Sequence, residues 1–119
     1  MKYKIADLII EYDAKYKMLE ERSKKYKVSE NSKTDYELFV DNELIKEDME
    51  KYFTPTQELS EYLLVGTTFY KVLLYEKGCL LHASSVVVDD EAYLFSAPCG
   101  TGKSTHTSLW LKYLANKNP

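Results

Sequence analysis

The chain has 119 residues, of which 45% are hydrophobic and 29% are charged, and its formal net charge is -3. These values are typical of a folded globular protein and argue against an intrinsically disordered one. The lysines are interleaved with acids over residues 1–51, so there is no basic surface for nucleic acid. No apolar run reaches the roughly 20 residues that span a bilayer, and no signal-peptide pattern opens the chain. The composition therefore predicts a cytoplasmic protein without a membrane or nucleic-acid partner.

The chain has two cysteines, Cys79 and Cys99, which lie twenty positions apart. There is no second pair of cysteines, and no histidine lies at metal-ligand spacing from either one. Neither a zinc site nor a disulfide framework is indicated by this arrangement. We predict that both thiols are reduced.

The first half of the chain predicts a small α/β region over residues 1–53. Residues 3–12 mix β-branched and aromatic side chains and predict one strand. Apolar residues among alternating charges over residues 14–27 predict a weak helix with a solvated face. A polar loop at residues 29–33 and a second strand at residues 36–40 follow.

A long amphipathic helix is predicted from Pro55 to about residue 77. Thr54, Pro55 and Gln57 supply an N-cap hydroxyl, a first-turn proline and a capping-box partner. Apolar residues then recur at three- and four-residue spacing and predict a buried stripe, and Gly78 predicts a left-handed C-cap. We place a domain boundary before this helix, so that residues 54–119 begin a second domain.

The last third of the chain predicts a hairpin, a loop and a helix in that order. Residues 80–88 and 92–96 are β-rich and are separated by three acids, which predicts a β-hairpin. The loop APCGTGKS follows at residues 97–104, and apolar residues at helical spacing occupy residues 106–114. This order predicts an α/β fold with a mixed sheet and a P-loop between a strand and a helix.

The loop fits the pattern Ala/Gly, four residues, Gly-Lys-Ser, in the strand-to-helix context of a P-loop. Gly100 and Gly102 let the backbone point successive N–H groups at phosphate oxygens, and the helix beginning near Lys103 adds its dipole. Lys103 would bridge β- and γ-phosphate oxygens, and Ser104 would ligate Mg²⁺. The alternative is a glycine-rich turn with an incidental lysine. The predicted ATP-binding residues are Ala97, Pro98, Cys99, Gly100, Thr101, Gly102, Lys103, Ser104 and Thr105.

Two histidines lie close to this motif in the predicted topology, and one cysteine lies within it. His82 is on the strand that folds back beside the loop, where it could approach a γ-phosphate or an acceptor hydroxyl. A hydrogen-bonded core histidine is the alternative. His106 is predicted to be a surface or packing residue. Cys99 lies near a helix N-terminus, where a thiol can acidify.

The stretch LLHASSVVVDDEAYLFSAPCGTGKSTHTSLW resembles the nucleotide-binding core of the HPr kinase-like proteins, which share a fold with ATP-dependent phosphoenolpyruvate carboxykinases. The resemblance covers roughly residues 60–112, and the first half of the chain matches only loosely. It implies a kinase acting on a serine hydroxyl, with ATP and Mg²⁺ on the loop and His82 as a catalytic residue near the phosphates. Cys99 stands where a serine is common, and Ala97 stands where the pattern often has glycine.

The chain has no Asp or Glu after Glu91. Phosphoryl transfer needs a carboxylate for the metal and usually another as base, and the resemblance implies that these follow the loop helix. We therefore predict the N-terminal part of a phosphotransferase, cut short, with little turnover alone. One alternative is a nucleotide- or phosphate-binding module whose partner supplies the acids. Another is an inert fragment that self-associates through an exposed sheet edge. The motif leaves open whether the hydroxyl acceptor is a protein or a small molecule.

Overall fold

A computed structural model describes residues 1–115, which form a mixed α/β fold. The described residues contain four α-helices and two small sheets, distributed over two compact units, Met1–Cys79 and Leu80–Pro119. The contacts place the long central helix in the first unit, where it packs against two other helices. The boundary that the sequence suggests between residues 53 and 54 stays a prediction. Among residues 1–115, no helix has both the length and the apolar content to cross a membrane.

The N-terminal segment is a hairpin, so the prediction of one strand over residues 3–12 was wrong. Strand β1 (Lys2–Ile5) pairs antiparallel with β2 (Leu8–Glu11). Ala6 and Asp7 between them have φ of 52° and 63°. Two consecutive positive φ values in a two-residue loop are those of a type I′ turn, which usually contains glycine. The turn was missed because its residues carry no such signal.

The second predicted strand is shorter than expected. Strand β3 comprises only Tyr36–Glu37 and pairs in parallel with β2, which makes the first sheet mixed. Leu38 and Val40 lie beyond the strand, yet they are buried in the core. These two residues are apolar because they pack in the core, and the strand does not extend to them.

Two helices lie between and after these strands. Helix α1 (Lys17–Ser23) and a 3₁₀ turn (Lys24–Tyr26) confirm the helical pattern predicted for this segment. Helix α2 (Asn42–Tyr52) was not predicted, because its short apolar stripe is hidden among charges. Its start is marked by Asp41, whose side chain accepts a 2.7 Å hydrogen bond from the backbone N–H of Leu44.

Helix α3 spans Gln57–Tyr75, and its predicted N-cap was wrong by two residues. The hydroxyl of Thr56 accepts a 3.2 Å hydrogen bond from the backbone N–H of Leu59 and caps the helix. Thr54 instead donates a 3.1 Å hydrogen bond to the Asp48 carboxylate, which also accepts a 2.7 Å bond from buried Ser60. Two threonines flank the proline, and sequence alone does not distinguish the capping one.

The C-terminus of α3 is a Schellman motif with lysine in the left-handed position. The Gly78 N–H donates to the Leu73 carbonyl at 2.7 Å, and the Lys77 N–H donates to the Leu74 carbonyl at 3.1 Å. Lys77, not the predicted Gly78, has the positive φ, at 60°. A side chain in this conformation strains the backbone.

Replacing Lys77 by glycine should therefore stabilise the chain, by about 0.5–1 kcal/mol. The gain is limited because glycine also increases the entropy of the unfolded chain. A urea titration followed by circular dichroism would measure the change. Lys71→Gly is the matched control, since Lys71 is an exposed residue inside the same helix and should lose about 1 kcal/mol. Equal destabilisation by both variants would contradict the assignment of strain to Lys77.

The core of the first unit is formed by side chains from its sheet, its helices and the loop after β3. The rings of Tyr3 and Tyr12 stack with centroids 4.4 Å apart. The Tyr12 hydroxyl bonds to Ser23 at 2.6 Å, and burial raises the pKa of Tyr12. The buried apolar cluster comprises Tyr3, Ile10, Tyr12, Leu19, Leu38, Val40, Ile45 and Val65.

One carboxylate is fully enclosed in this unit. Glu61 on α3 is 1% exposed. Its two oxygens accept hydrogen bonds from the backbone N–H groups of Lys15, at 2.6 Å, and Tyr16, at 3.1 Å. Tyr16 is the N-cap of α1 and provides no side-chain cap itself. Glu61 thus satisfies backbone donors where the chain enters α1, from a different helix.

The second unit contains the predicted β-hairpin. Strand β4 (Ser84–Val88) pairs antiparallel with β5 (Glu91–Phe95), and the hairpin is confirmed, although β4 begins four residues later than predicted. Asp89 and Asp90 form its turn with φ of 51° and 63°, as in the first hairpin. Within the described residues this second sheet has two antiparallel strands, whereas the sequence predicted a mixed sheet around the loop.

Candidate phosphate-binding site

The loop at residues 96–102 connects β5 to helix α4 (Lys103–Ala115), which confirms the predicted order of strand, loop and helix. Gly100 and Gly102 have positive φ, at 83° and 90°. A Cβ atom added at either glycine would meet no atom within 4 Å. Backbone conformation, and not lack of space, is therefore what favours glycine at these two positions.

The ammonium of Lys103 bends back across the loop. Its Nζ donates to the carbonyl of Ala97 at 2.7 Å and to that of Pro98 at 3.3 Å. These bonds tie the end of the loop to its beginning. Because an ammonium has three N–H donors, the side chain can hold the loop closed and still offer one donor to an anion.

The middle of the loop is fixed by a turn. Thr101 donates to the Pro98 carbonyl through its hydroxyl at 2.8 Å and through its backbone N–H at 3.4 Å. Cys99 lies inside this turn as an exposed free thiol, and Cys79 is likewise free and exposed.

The first turn of α4 presents unpaired backbone donors beside the loop. The His106 N–H donates to the Gly102 carbonyl at 2.9 Å and makes the first bond of the helix. The N–H groups of Lys103, Ser104 and Thr105 come before that bond and have no intrahelical acceptor. Such donors, together with the positive end of the helix dipole, favour an anion at this position.

An open depression of about 620 Å³ lies over the loop and the start of α4. Its volume falls within the range of about 300–1,000 Å³ for small-molecule sites. Five of the nine predicted ATP-binding residues line it, and these are Ala97, Thr101, Gly102, Lys103 and Thr105. Leu94, Phe95 and Leu109 give it one apolar wall.

The predicted metal ligand Ser104 is exposed at the start of α4. Its Oγ lies 3.5 Å from Oγ of Ser84 on β4. Within residues 1–115, no three His, Cys, Asp or Glu side chains are grouped so that they could hold a metal ion. Asp89 and Asp90 lie at the far end of the hairpin, and Asp89 is five residues from Ser84, which is about 16 Å at about 3.3 Å per residue.

The two histidines have different surroundings. His82 is exposed and precedes β4, so its predicted position on a strand was wrong. Its carbonyl accepts a 3.1 Å hydrogen bond from Oγ of Ser96, which holds its backbone beside the start of the loop. His106 packs against the rings of Phe95 and Trp110, with centroids 4.7 Å and 6.2 Å away, which confirms a packing role.

Sequence reasoning overlooked Ser84 and Ser96. Both hydroxyls lie at the end of the hairpin that leads into the loop, one contacting Ser104 and the other the backbone of His82. The alternation of side chains between the two faces of β4 was the signal that could have identified Ser84. Ser84 and Val86 lie on the same face, and Val86 is buried.

No family model, curated protein or solved structure matches this chain. A function for the loop must therefore be argued from its own geometry and from its sequence motif.

Proposed function

We propose that this chain binds a nucleoside triphosphate with Mg²⁺, as the nucleotide-holding part of an HPr kinase-like phosphotransferase. The observation that best supports this function is the closure of the loop by Lys103 onto the carbonyls of Ala97 and Pro98. It gives the APCGTGKS segment a compact shape in which a cation and the donors of a helix N-terminus lie together.

Each group has a chemical role in the proposed complex. The N–H groups at the start of α4 and in the glycine-rich loop donate to phosphate oxygens. The remaining N–H of Lys103 balances charge on the β- and γ-phosphates. The hydroxyl of Ser104 supplies one ligand to Mg²⁺, which prefers oxygen ligands and retains several waters.

We propose that these residues hold the nucleotide but do not by themselves turn it over. Transfer to a hydroxyl acceptor needs a base, and the metal needs a carboxylate ligand. After Glu91 the chain has neither Asp nor Glu, and Asp89 and Asp90 are a strand length away from the loop. His82 remains a candidate catalytic residue, since its backbone is held next to the loop by Ser96.

The same absence of nearby acids favours a second candidate, a binding module that senses ATP or another phosphate without reacting. In this case no hydroxyl acceptor takes part, and a partner protein recognises the nucleotide-bound chain. Incubation with γ-labelled ATP and Mg²⁺ tests whether the chain turns ATP over by itself. Transfer to any acceptor, abolished by Lys103→Met, would overturn the proposal that it does not and would exclude the non-reacting module.

Replacing Lys103 by methionine should weaken binding of ATP with Mg²⁺ about 30-fold, since bonds to a charged donor contribute about 2 kcal/mol. Methionine keeps most of the apolar stem and removes only the ammonium. Isothermal titration calorimetry on the 119-residue chain measures the affinity. Lys112→Met is the matched control, because Lys112 is an exposed lysine in the last turn of the same helix.

Two outcomes would contradict the proposed function. The first is that the unaltered chain binds neither ATP nor inorganic triphosphate. The second is that Lys103→Met and Lys112→Met reduce affinity equally, which would indicate attraction by overall charge and no specific site.

A further inference from the structure

We infer that Ser84 is a positioning residue that orients the hydroxyl of Ser104 toward the magnesium ion. This inference rests on the proposed function, because it concerns how the loop holds the metal that accompanies the nucleotide. It begins from the 3.5 Å separation between the two Oγ atoms.

The position of Ser84 follows from the register of the hairpin. Ser84 pairs with Phe95, and paired residues of antiparallel strands point to the same face of a sheet. Phe95 contacts the ring of Trp110 on α4, with centroids 5.5 Å apart. The face that carries Ser84 is therefore the face against which α4 packs. Ser85 points the other way and is exposed.

A hydroxyl that ligates a metal uses an oxygen lone pair, so its proton must point to another acceptor. Among the described residues, Oγ of Ser84 is the partner of Oγ of Ser104, and either oxygen can be the donor. The present separation is longer than the roughly 2.8 Å of a good O–H···O bond. A shift of about 0.7 Å would make the bond and fix the direction of the lone pair of Ser104.

Ser84 is neutral, so it cannot replace a carboxylate in balancing the charge of the metal. Its effect is confined to the orientation of one ligand. The effect should therefore appear only when Mg²⁺ is present, whereas phosphate contacts made by the loop backbone and Lys103 should be unaffected.

The test compares Ser84→Val with Ser84→Thr, because valine and threonine have the same shape and both favour strands. ATP affinity is measured by calorimetry with Mg²⁺ and again with excess EDTA. In Ser84→Val we expect the ratio of the ATP affinity with Mg²⁺ to the ATP affinity with EDTA to fall on the order of fivefold, which is the effect of one hydrogen bond. The ATP affinity measured with EDTA should be unchanged. Ser84→Thr should keep the ratio of the unaltered chain, and so should Ser85→Val.

The possible failures are distinguishable. If the unaltered chain binds ATP better with Mg²⁺ and Ser84→Val does so equally well, the role of Ser84 is refuted while the proposed function stands. If Ser84→Val loses affinity equally with Mg²⁺ and with EDTA, Ser84 supports the loop but does not orient a metal ligand, and the inference also fails. If the unaltered chain binds no nucleotide, the proposed function and the inference fail together.

Discussion

Replacing Glu61 by alanine is expected to lower the free energy of unfolding by about 3 kcal/mol, because two partly buried backbone donors lose a buried acceptor. Glu61 is 1% exposed, and the N–H groups of Lys15 and Tyr16 both point at its carboxylate. Alanine leaves those donors without a protein acceptor and leaves a cavity where the carboxylate was. Release of a buried charge offsets part of the loss.

Urea unfolding followed by far-ultraviolet circular dichroism measures this change, and amide hydrogen exchange at Lys15 and Tyr16 localises it. Glu61→Gln should lose less than alanine does, since it keeps one acceptor oxygen. Glu47→Ala, on an exposed position of α2, should change stability by less than about 0.5 kcal/mol. Equal losses for Glu47→Ala and Glu61→Ala would show that the buried carboxylate has no special role.

Truncating Ile10 to alanine is expected to have a similar or larger effect, a loss of about 4 kcal/mol. Ile10 is on β2, is 0% exposed and is part of the apolar cluster of the first unit. Its removal costs the transfer free energy of three methyl and methylene groups and leaves a void among side chains that relax only partly.

A graded series tests this expectation by the same urea titration. Ile10→Val removes one methylene and should lose about 1 kcal/mol. Leu44→Ala removes as many carbon atoms as Ile10→Ala, but Leu44 is 40% exposed on α2, so this variant should lose less stability than Ile10→Ala does. A loss for Ile10→Ala no greater than that for Leu44→Ala would place Ile10 outside the core.

Features set by a few adjacent residues were predictable from the sequence. The second hairpin follows from two β-rich runs around consecutive acids, and the loop follows from its glycines and the strand and helix on either side. Gly100 and Gly102 were expected to let the loop backbone turn tightly, and both have positive φ. For both the hairpin and the loop, the residues that form the sequence pattern are the same residues that adopt the predicted backbone conformation.

Features decided by competition between similar residues were not predictable. Thr54 and Thr56 both suit an N-cap, and the choice depends on Asp48 of α2, which engages Thr54. Positive φ at Ala6 and Lys77 is imposed by strand pairing and helix termination, although glycine would fit either position better.

The candidate site also has one part that the sequence predicts and another that it does not. The loop could be identified from its motif, but its closure by Lys103 depends on where a flexible side chain folds. The contact of Ser84 with Ser104 joins residues 20 positions apart and depends on the exact strand register. A one-residue change of register would turn Ser84 to the opposite face of the hairpin.

The two type I′ turns bear on how the chain folds. Each compact unit contains one hairpin closed by only two residues, Ala6–Asp7 in the first and Asp89–Asp90 in the second. Closing so short a loop costs little chain entropy, and hairpins form in about 1–10 μs. We therefore expect each hairpin to be among the first structures to form in its unit. Contacts across the longer sequence separations, such as the one from Glu61 to the entrance of α1, can be added after the hairpin has formed.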